Sequence, residues 1–234
     1  MTASGDPQPL QLSLEGGGSV SALLDAPAQP RACYVFAHGA GAGMQHEFMA
    51  AIAQALPTRG VAVLRFQFPF MEEGSRRPDA PAVAQSAVRA AVAEAARRLP
   101  GVPLFAGGKS FGGRMTSQAQ AGAPLPGVQG LVFVGFPLHP AGKPSSDRAA
   151  HLAQVQLRML FLQGTRDALA DLPLVREATQ ALGARATLHV VEGADHAFHV
   201  LVRSGRTDAQ VRTELLEAMA AWMLSARPPA RAGA

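Results

Sequence analysis

The chain has 234 residues, 48% of them hydrophobic and 16% charged, which excludes a disordered chain and suits one α/β domain of about 200–250 residues. Its net charge of +4 comes from scattered arginines, with no basic run and no basic stripe interleaved with aromatics, so nucleic acid is not an expected partner.

Residues 1–8 and 226–234 are rich in Pro, Ala, Gly and Arg and read as loose tails around one domain, 9–225. Leu10–Glu15 and Val20–Leu24 flank three glycines and predict a β-hairpin. A short apolar strand, Cys33–Ala37, then ends at His38-Gly39. Helical spacing over 46–56 stops before Pro57, and Val61–Phe68 reads as a strand. An Ala-rich helix spans 81–99 between Pro81 and Pro100. Leu104–Ala106 is a strand and Phe111–Ala121 a helix. Leu131–Phe136 and Arg158–Leu162 are strands separated by a Pro-rich loop. A helix over Leu174–Leu182, a strand over Ala186–Val191 and a helix over Glu214–Leu224 close the chain.

Strands alternating with helices predict βαβ units and a mostly parallel, doubly wound sheet, here six parallel strands with the antiparallel N-terminal hairpin at one edge. In such sheets, sites form past the carboxyl ends of the strands. His38, Ser110, Phe136–His139, Asp167 and Asp195–His196 all fall there. A single cysteine, Cys33, allows no internal disulfide and fits a reducing compartment. The opening MTASGDPQPLQ has no basic stretch leading into an apolar one, and no apolar run approaches about 18 residues. The expectation is a soluble cytoplasmic protein with no membrane partner. Oligomeric state is not legible.

The informative segment is LFAGGKSFGGRM, 104–115, where a strand ends, G-x-S-x-G follows and a helix begins. A turn that tight strains Ser110 and exposes its hydroxyl; side chains at 108 and 112 would clash, so glycine stands at both. The helix N-terminus after Ser110 directs N–H groups and partial positive charge at a developing oxyanion. Gly108-Lys109-Ser110 also matches the end of a phosphate-binding loop. That motif needs glycine at position 103, and Pro103 stands there.

A serine nucleophile needs a base, and the base an orienting carboxylate. His196 follows the last strand through Glu192-Gly193-Ala194-Asp195 and is the expected base, with His199 a local alternative. His46 and His151 read as surface groups and His189 as a strand position. Asp167 ends LFLQGTRD at a strand tip and is the expected acid, with Asp171 its nearest rival; Asp195, beside the base, points elsewhere. His196 and His199 lack a third ligand at useful spacing, so no metal is expected. The oxyanion hole would take the N–H of Phe111 and one N–H from the loop His38–Gly43, of Ala40 or Gly41.

The segments AHGAGAGMQHEFM, RFQFPFMEEG, GGKSFGGRM, GFPLHPAGKP, LQGTRD and the Gly193–His196 turn together resemble the α/β-hydrolase superfamily over about residues 10–225. The chain is most similar to the small lidless branch related to dienelactone hydrolases. More narrowly, it resembles bacterial hydrolases that share a domain type with a subunit of an animal histone-acetyltransferase complex. The resemblance implies a Ser-His-Asp hydrolase with no metal or organic cofactor and no defined substrate. Dienelactone hydrolases use cysteine where Ser110 stands, so that activity does not carry over. The alternative reading is a non-catalytic interaction module on the same fold.

About twenty residues separate the 131–136 and 158–162 strands, leaving no room for a cap domain. An open site suits a small or exposed acyl group. Lys109, His139 and Lys143, with Arg76 and Arg77, are candidates for binding an anionic substrate group, against the simpler reading of solvated charge.

Overall fold

The computed structural model describes residues 6–225, so the tail read over 226–234 and residues 1–5 of the tail read over 1–8 lie outside the described residues, while Gln8, at the end of that tail, already lies in the first strand, paired with Leu24. Eight strands form one sheet: β1 (Gln8–Ser13), β2 (Ser19–Asp25), β3 (Ala32–Ala37), β4 (Val61–Phe66), β5 (Leu104–Lys109), β6 (Val128–Val134), β7 (Arg158–Gly164) and β8 (Ala186–Val191). Their spatial order is β1-β2-β4-β3-β5-β6-β7-β8. The six strands from β3 onward pair in parallel, while β1 and β2 run antiparallel at one edge.

Alternation of side chains sends each central strand to two cores. In β3, Cys33, Val35 and Ala37 face one core while Ala32, Tyr34 and Phe36 face the other. The first core is covered by α3 (Pro81–Arg98), α4 (Phe111–Gly122) and α5 (Leu172–Ala181). The second is covered by α1 (Glu47–Ala55) and α6 (Asp208–Leu224). A four-residue helix, α2 (Pro69–Glu72), follows β4. No helix among the described residues is long and apolar enough to cross a membrane.

Several boundaries differ from the sequence reading, each for a local reason. β4 stops at Phe66, because the Phe68 N–H leaves the ladder for His38 and Pro69 opens α2. β6 runs from Val128 to Val134 and ends where Gly135 takes φ 69°, rather than continuing to Phe136. α6 begins two turns before Glu214, at Asp208, fixed by a reciprocal capping box between Thr207 and Gln210. Its polar first turns hid it from hydrophobic spacing. Between β6 and β7 lie only loop and a 3-10 turn over Asp147–Gln154, so no cap domain covers the strand ends.

Candidate active site

Ser110 sits between β5 and α4 at φ 50°, ψ −115°, a region that residues with a side chain rarely occupy. Close packing forces this geometry. A Cβ on Gly108 would lie 2.4 Å from the Ala37 carbonyl oxygen, and one on Gly112 would lie 2.5 Å from the carbonyl oxygens of both Ala37 and His38. With glycine there, β5 and α4 close against the end of β3 and lift the Ser110 hydroxyl over the strand ends.

The loop Gly39–Gly43 runs past Ser110 and is pinned at both ends. At its start His38 is fully buried, donates from Nδ1 to the Gly39 carbonyl at 2.7 Å and accepts the Phe68 N–H on Nε2 at 2.9 Å. Burial pushes this ring down to about 4, against the opposing bonds to Gly39 and Ala42, so it is neutral at pH 7. At the far end Met44 donates its N–H to Gln67 at 2.8 Å, and its carbonyl accepts from Arg65 at 3.0 Å. Arg65 is buried and paired with Asp25 at 3.3 Å. Among the described residues, no hydrogen-bond partner meets the N–H of Ala40 or Gly41. Phe111 is the first residue of α4, and the first N–H groups of a helix lack intrahelical acceptors. Ala40 and Gly41 line the same cavity as Ser110, and Phe111 follows Ser110 directly in the chain.

Asp167, in the turn after β7, is buried and accepts three hydrogen bonds. Its Oδ2 receives His196 Nδ1 at 2.7 Å and Gln163 Nε2 at 2.5 Å, and its Oδ1 receives the Leu169 N–H at 2.8 Å. Burial alone would raise this carboxyl. The bond to and charge of His196, the Leu169 N–H and the Lys109 charge outweigh it and hold the group below the ordinary carboxylate range. On its other side His196 places Nε2 2.9 Å from Ser110 Oγ. The three residues thus form one continuous hydrogen-bonded line.

His196 rides on a tight hairpin closed by an Ala194–Val200 bridge, an Asp195 N–H to His199 carbonyl bond of 3.0 Å, and an Asp195 carboxylate that caps the N–H groups of Ala197 and His199 at 2.8 and 2.9 Å. Phe198 within it holds φ 64°, a strained value for a bulky residue, and its buried ring stacks on Phe48 at 6.0 Å. His199 turns away to Asp208 at 2.8 Å, so the local alternative for the base lies outside the line. Asp171, the rival acid, gives its N–H to His139 instead.

Two substrate candidates belong elsewhere. His139 is buried with both ring nitrogens engaged: Nδ1 donates to the Pro140 carbonyl at 2.9 Å and Nε2 accepts the Asp171 N–H at 3.0 Å, while its own N–H meets the Leu169 carbonyl at 3.0 Å. It clamps the loop that carries Asp167 and has no free atom for a ligand. Lys143 is exposed on the Pro-rich loop and, like Arg76 and Arg77, does not line the cavity at Ser110. Lys109 does line it, with its amine donating to the main-chain carbonyl of His196. Burial pulls this amine down to about 8, opposed by the charges of Asp167 and Asp195.

That cavity, of about 440 Å³, is lined by Gly39–Ala42, His46, Phe48, Met49, Leu169 and Ala197 together with Lys109, Ser110 and His196. A second Ser–His pair exists: Ser117 Oγ lies 2.8 Å from His151 Nε2, which makes His151 half-buried rather than a surface group. Ser117 lies within α4, is fully buried, also bonds the Arg114 carbonyl at 3.0 Å, and its histidine has no carboxylate partner among the described residues. It ties α4 to the 3-10 turn over Asp147–Gln154. No group of three or more His, Cys, Asp or Glu side chains suited to a metal occurs among the described residues. Sequence reasoning missed Gln163, Phe198 and the clamping role of His139. A polar residue late in an otherwise apolar strand was the one available signal for Gln163.

Residues 30–224 match the family model described as an alpha/beta hydrolase domain, and the chain belongs to the α/β-hydrolase family. Solved structures share the fold over nearly the whole chain. A serine hydrolase without a lid from Xanthomonas campestris is 23% identical, covers 95% of this chain and 97% of its own, and superposes with a TM-score of 0.73. A dienelactone hydrolase from Anabaena variabilis is 20% identical over 94% of this chain and 98% of its own, with a TM-score of 0.74. An α/β serine hydrolase homologue from Coxiella burnetii is 18% identical over 93% and 100%, again at 0.74. At these identities the likeness is one of fold.

Proposed function

We propose that the chain is a serine hydrolase acting on a small or exposed carboxylic ester or related acyl substrate. The observation that carries this reading is the line from Ser110 through His196 to Asp167, with steps of 2.9 and 2.7 Å, ending on a serine held at φ 50°. Ser110 Oγ attacks the acyl carbon as His196 Nε2 takes its proton. The Nδ1–H bond to Asp167 fixes the tautomer and stabilises the charged ring. The N–H of Phe111 and that of Ala40 or Gly41 receive the oxyanion. His196 returns the proton to the departing oxygen, leaving Ser110 acylated. Water then attacks the acyl-enzyme, with His196 again as base, releasing the acid and restoring the Ser110 hydroxyl.

The cavity walls favour a neutral acyl group. They are mostly apolar, with His46 at one side, and the one lysine among them points its amine at a protein carbonyl. A fluorophosphonate probe tests the reading. It should label the wild-type protein and fail on Ser110→Ala, and short-chain nitrophenyl esters should be turned over only by the former. A folded wild-type protein that takes no label would favour the interaction-module reading instead.

A further inference from the structure

The chain carries 21 Lys and Arg residues, and only Lys109 and Lys143 among them are lysines. One is exposed; the other directly precedes Ser110. From Lys109, the last position of β5, the side chain reaches the hairpin that carries the base, and its amine donates to the His196 main-chain carbonyl. The same nitrogen lies 5.3 Å from the centroid of the Phe198 ring. It packs over Gly135 so closely that a Cβ there would stand 3.1 Å from Nζ and 3.5 Å from the His196 ring. Asp167 and Asp195, from two different loops, supply the charge that favours its ammonium form.

We propose that Lys109 is a positioning residue for the hydrolase reading given above: its ammonium ties the nucleophile strand to the Asp195–His199 hairpin and holds His196 within reach of Ser110. The contacts separate two roles. If Lys109 were a substrate ligand its amine would face the cavity; it faces the carbonyl of the base instead. If it only filled space, a methionine would serve as well. A guanidinium, the cation used almost everywhere else in this chain, is a broad planar fork, whereas Nζ here is a single atom 3.1 Å from where a Cβ on Gly135 would stand. A compact amine can donate to one carbonyl while lying over one aromatic ring. The hairpin needs this hold because Phe198 keeps it in a strained conformation.

The experiment compares Lys109→Met and Lys109→Cys with wild type on a short nitrophenyl ester. A loosened base should lower kcat by about 10²-fold with KM little changed, since misplacement of a reacting group by about 1 Å costs that much. Alkylating Lys109→Cys with bromoethylamine rebuilds a lysine-like amine and should restore most of kcat; Cys33, the other thiol, is fully buried. Full activity in Lys109→Met, a change confined to KM, or no gain on alkylation would overturn the proposal. The unaltered protein supplies a second measurement should the variants fold poorly. Of two lysine Nζ signals in nitrogen-labelled protein, one should show protons protected from exchange, and two fast-exchanging amines would equally overturn it. Fluorophosphonate labelling of wild type and Ser110→Ala stands apart: its failure would remove the hydrolase reading, whereas intact labelling with unaffected Lys109 variants would remove this one alone.

Discussion

Gln163 and His196 converge on a single oxygen, Asp167 Oδ2, from 2.5 and 2.7 Å. Gln163 is fully buried in β7, and its own carbonyl oxygen has no hydrogen-bond partner among the described residues. A buried amide with one unsatisfied end is a cost, and the compensation lies in the charge-assisted bond to the carboxylate. Gln163 therefore helps keep Asp167 ionised and aimed at Nδ1.

Gln163→Leu should destabilise the fold by about 1–3 kcal/mol, the range for stripping one partner from a buried charged acceptor, and should lower kcat. Gln163→Glu should be the more damaging change to activity. It sets a second carboxyl against the first, and two such groups cannot both ionise, so one takes a proton at neutral pH. Steady-state kinetics on both variants decide this; equal activity in the two would argue against an electrostatic role.

Asp167→Asn tests the orienting role more directly. The amide has only one acceptor oxygen: with that oxygen toward His196 its NH2 meets the Leu169 N–H donor to donor, and turned the other way its NH2 faces Nδ1 and imposes the wrong tautomer on the imidazole. A fall in kcat of up to about 10⁴-fold is expected, with the oxyanion donors left intact. Retained kcat would shift the acid role to another carboxylate.

Gly112→Ala addresses the elbow. The new Cβ meets two backbone oxygens at 2.5 Å, from Ala37 and His38, and Ala37 is held in the pairing of β3 with β5. A loss of about 1–3 kcal/mol or more is expected from such overpacking, together with loss of fluorophosphonate labelling. Unchanged urea unfolding and labelling would mean that the elbow tolerates a wider turn.

What was legible in the sequence lies close along the chain or at strand ends. Gly108, Ser110 and Gly112 are neighbours, and the order of Ser110, Asp167 and His196 follows from counting strand ends. The partners of Lys109 and His139 were not legible, because they depend on how distant loops meet. The Lys109 amine crosses 87 positions to reach the His196 carbonyl, and His38 crosses 30 to accept the Phe68 N–H. A lysine beside a nucleophile and a histidine past a strand end both look like ligands for substrate until those contacts are seen. Gln163 was hidden for another reason: in a strand buried on both faces, no alternation marks which side chain must find a polar partner.

His38 makes a prediction about acid stability. Its folded value of about 4 lies below the ordinary 6.5, so the unfolded chain binds the proton first. The contribution of neutral His38 is full above pH 6.5 and is lost as pH falls from there toward 4. The shift corresponds to about 3 kcal/mol over that window. Urea unfolding at pH 7.5 and pH 4.5 should therefore show a larger loss for wild type than for His38→Gln, which does not titrate. Parallel loss in both would assign the acid sensitivity to other groups, among them Asp167, whose carboxyl is held below its ordinary range and so gives up stability as it is protonated.

The cavity wall predicts how rate depends on acyl chain length. Ala40, Ala42, Phe48, Met49, Leu169 and Ala197 offer apolar surface and no free cation. Each methylene buried there adds up to about 0.8 kcal/mol, or about a fourfold gain in kcat/KM, until the wall is filled. With about 440 Å³ and no cap, the gain should stop at a short to medium chain. Leu169→Ala removes one wall and should move the stopping point to longer chains, while its backbone still donates to Asp167. Esters ending in a carboxylate should react more slowly than neutral ones of equal length. Replacing exposed Lys143 with Ala should leave both rates unchanged. A flat chain-length series, or a preference for the acidic ester that depends on Lys143, would return the substrate site to the Pro-rich loop.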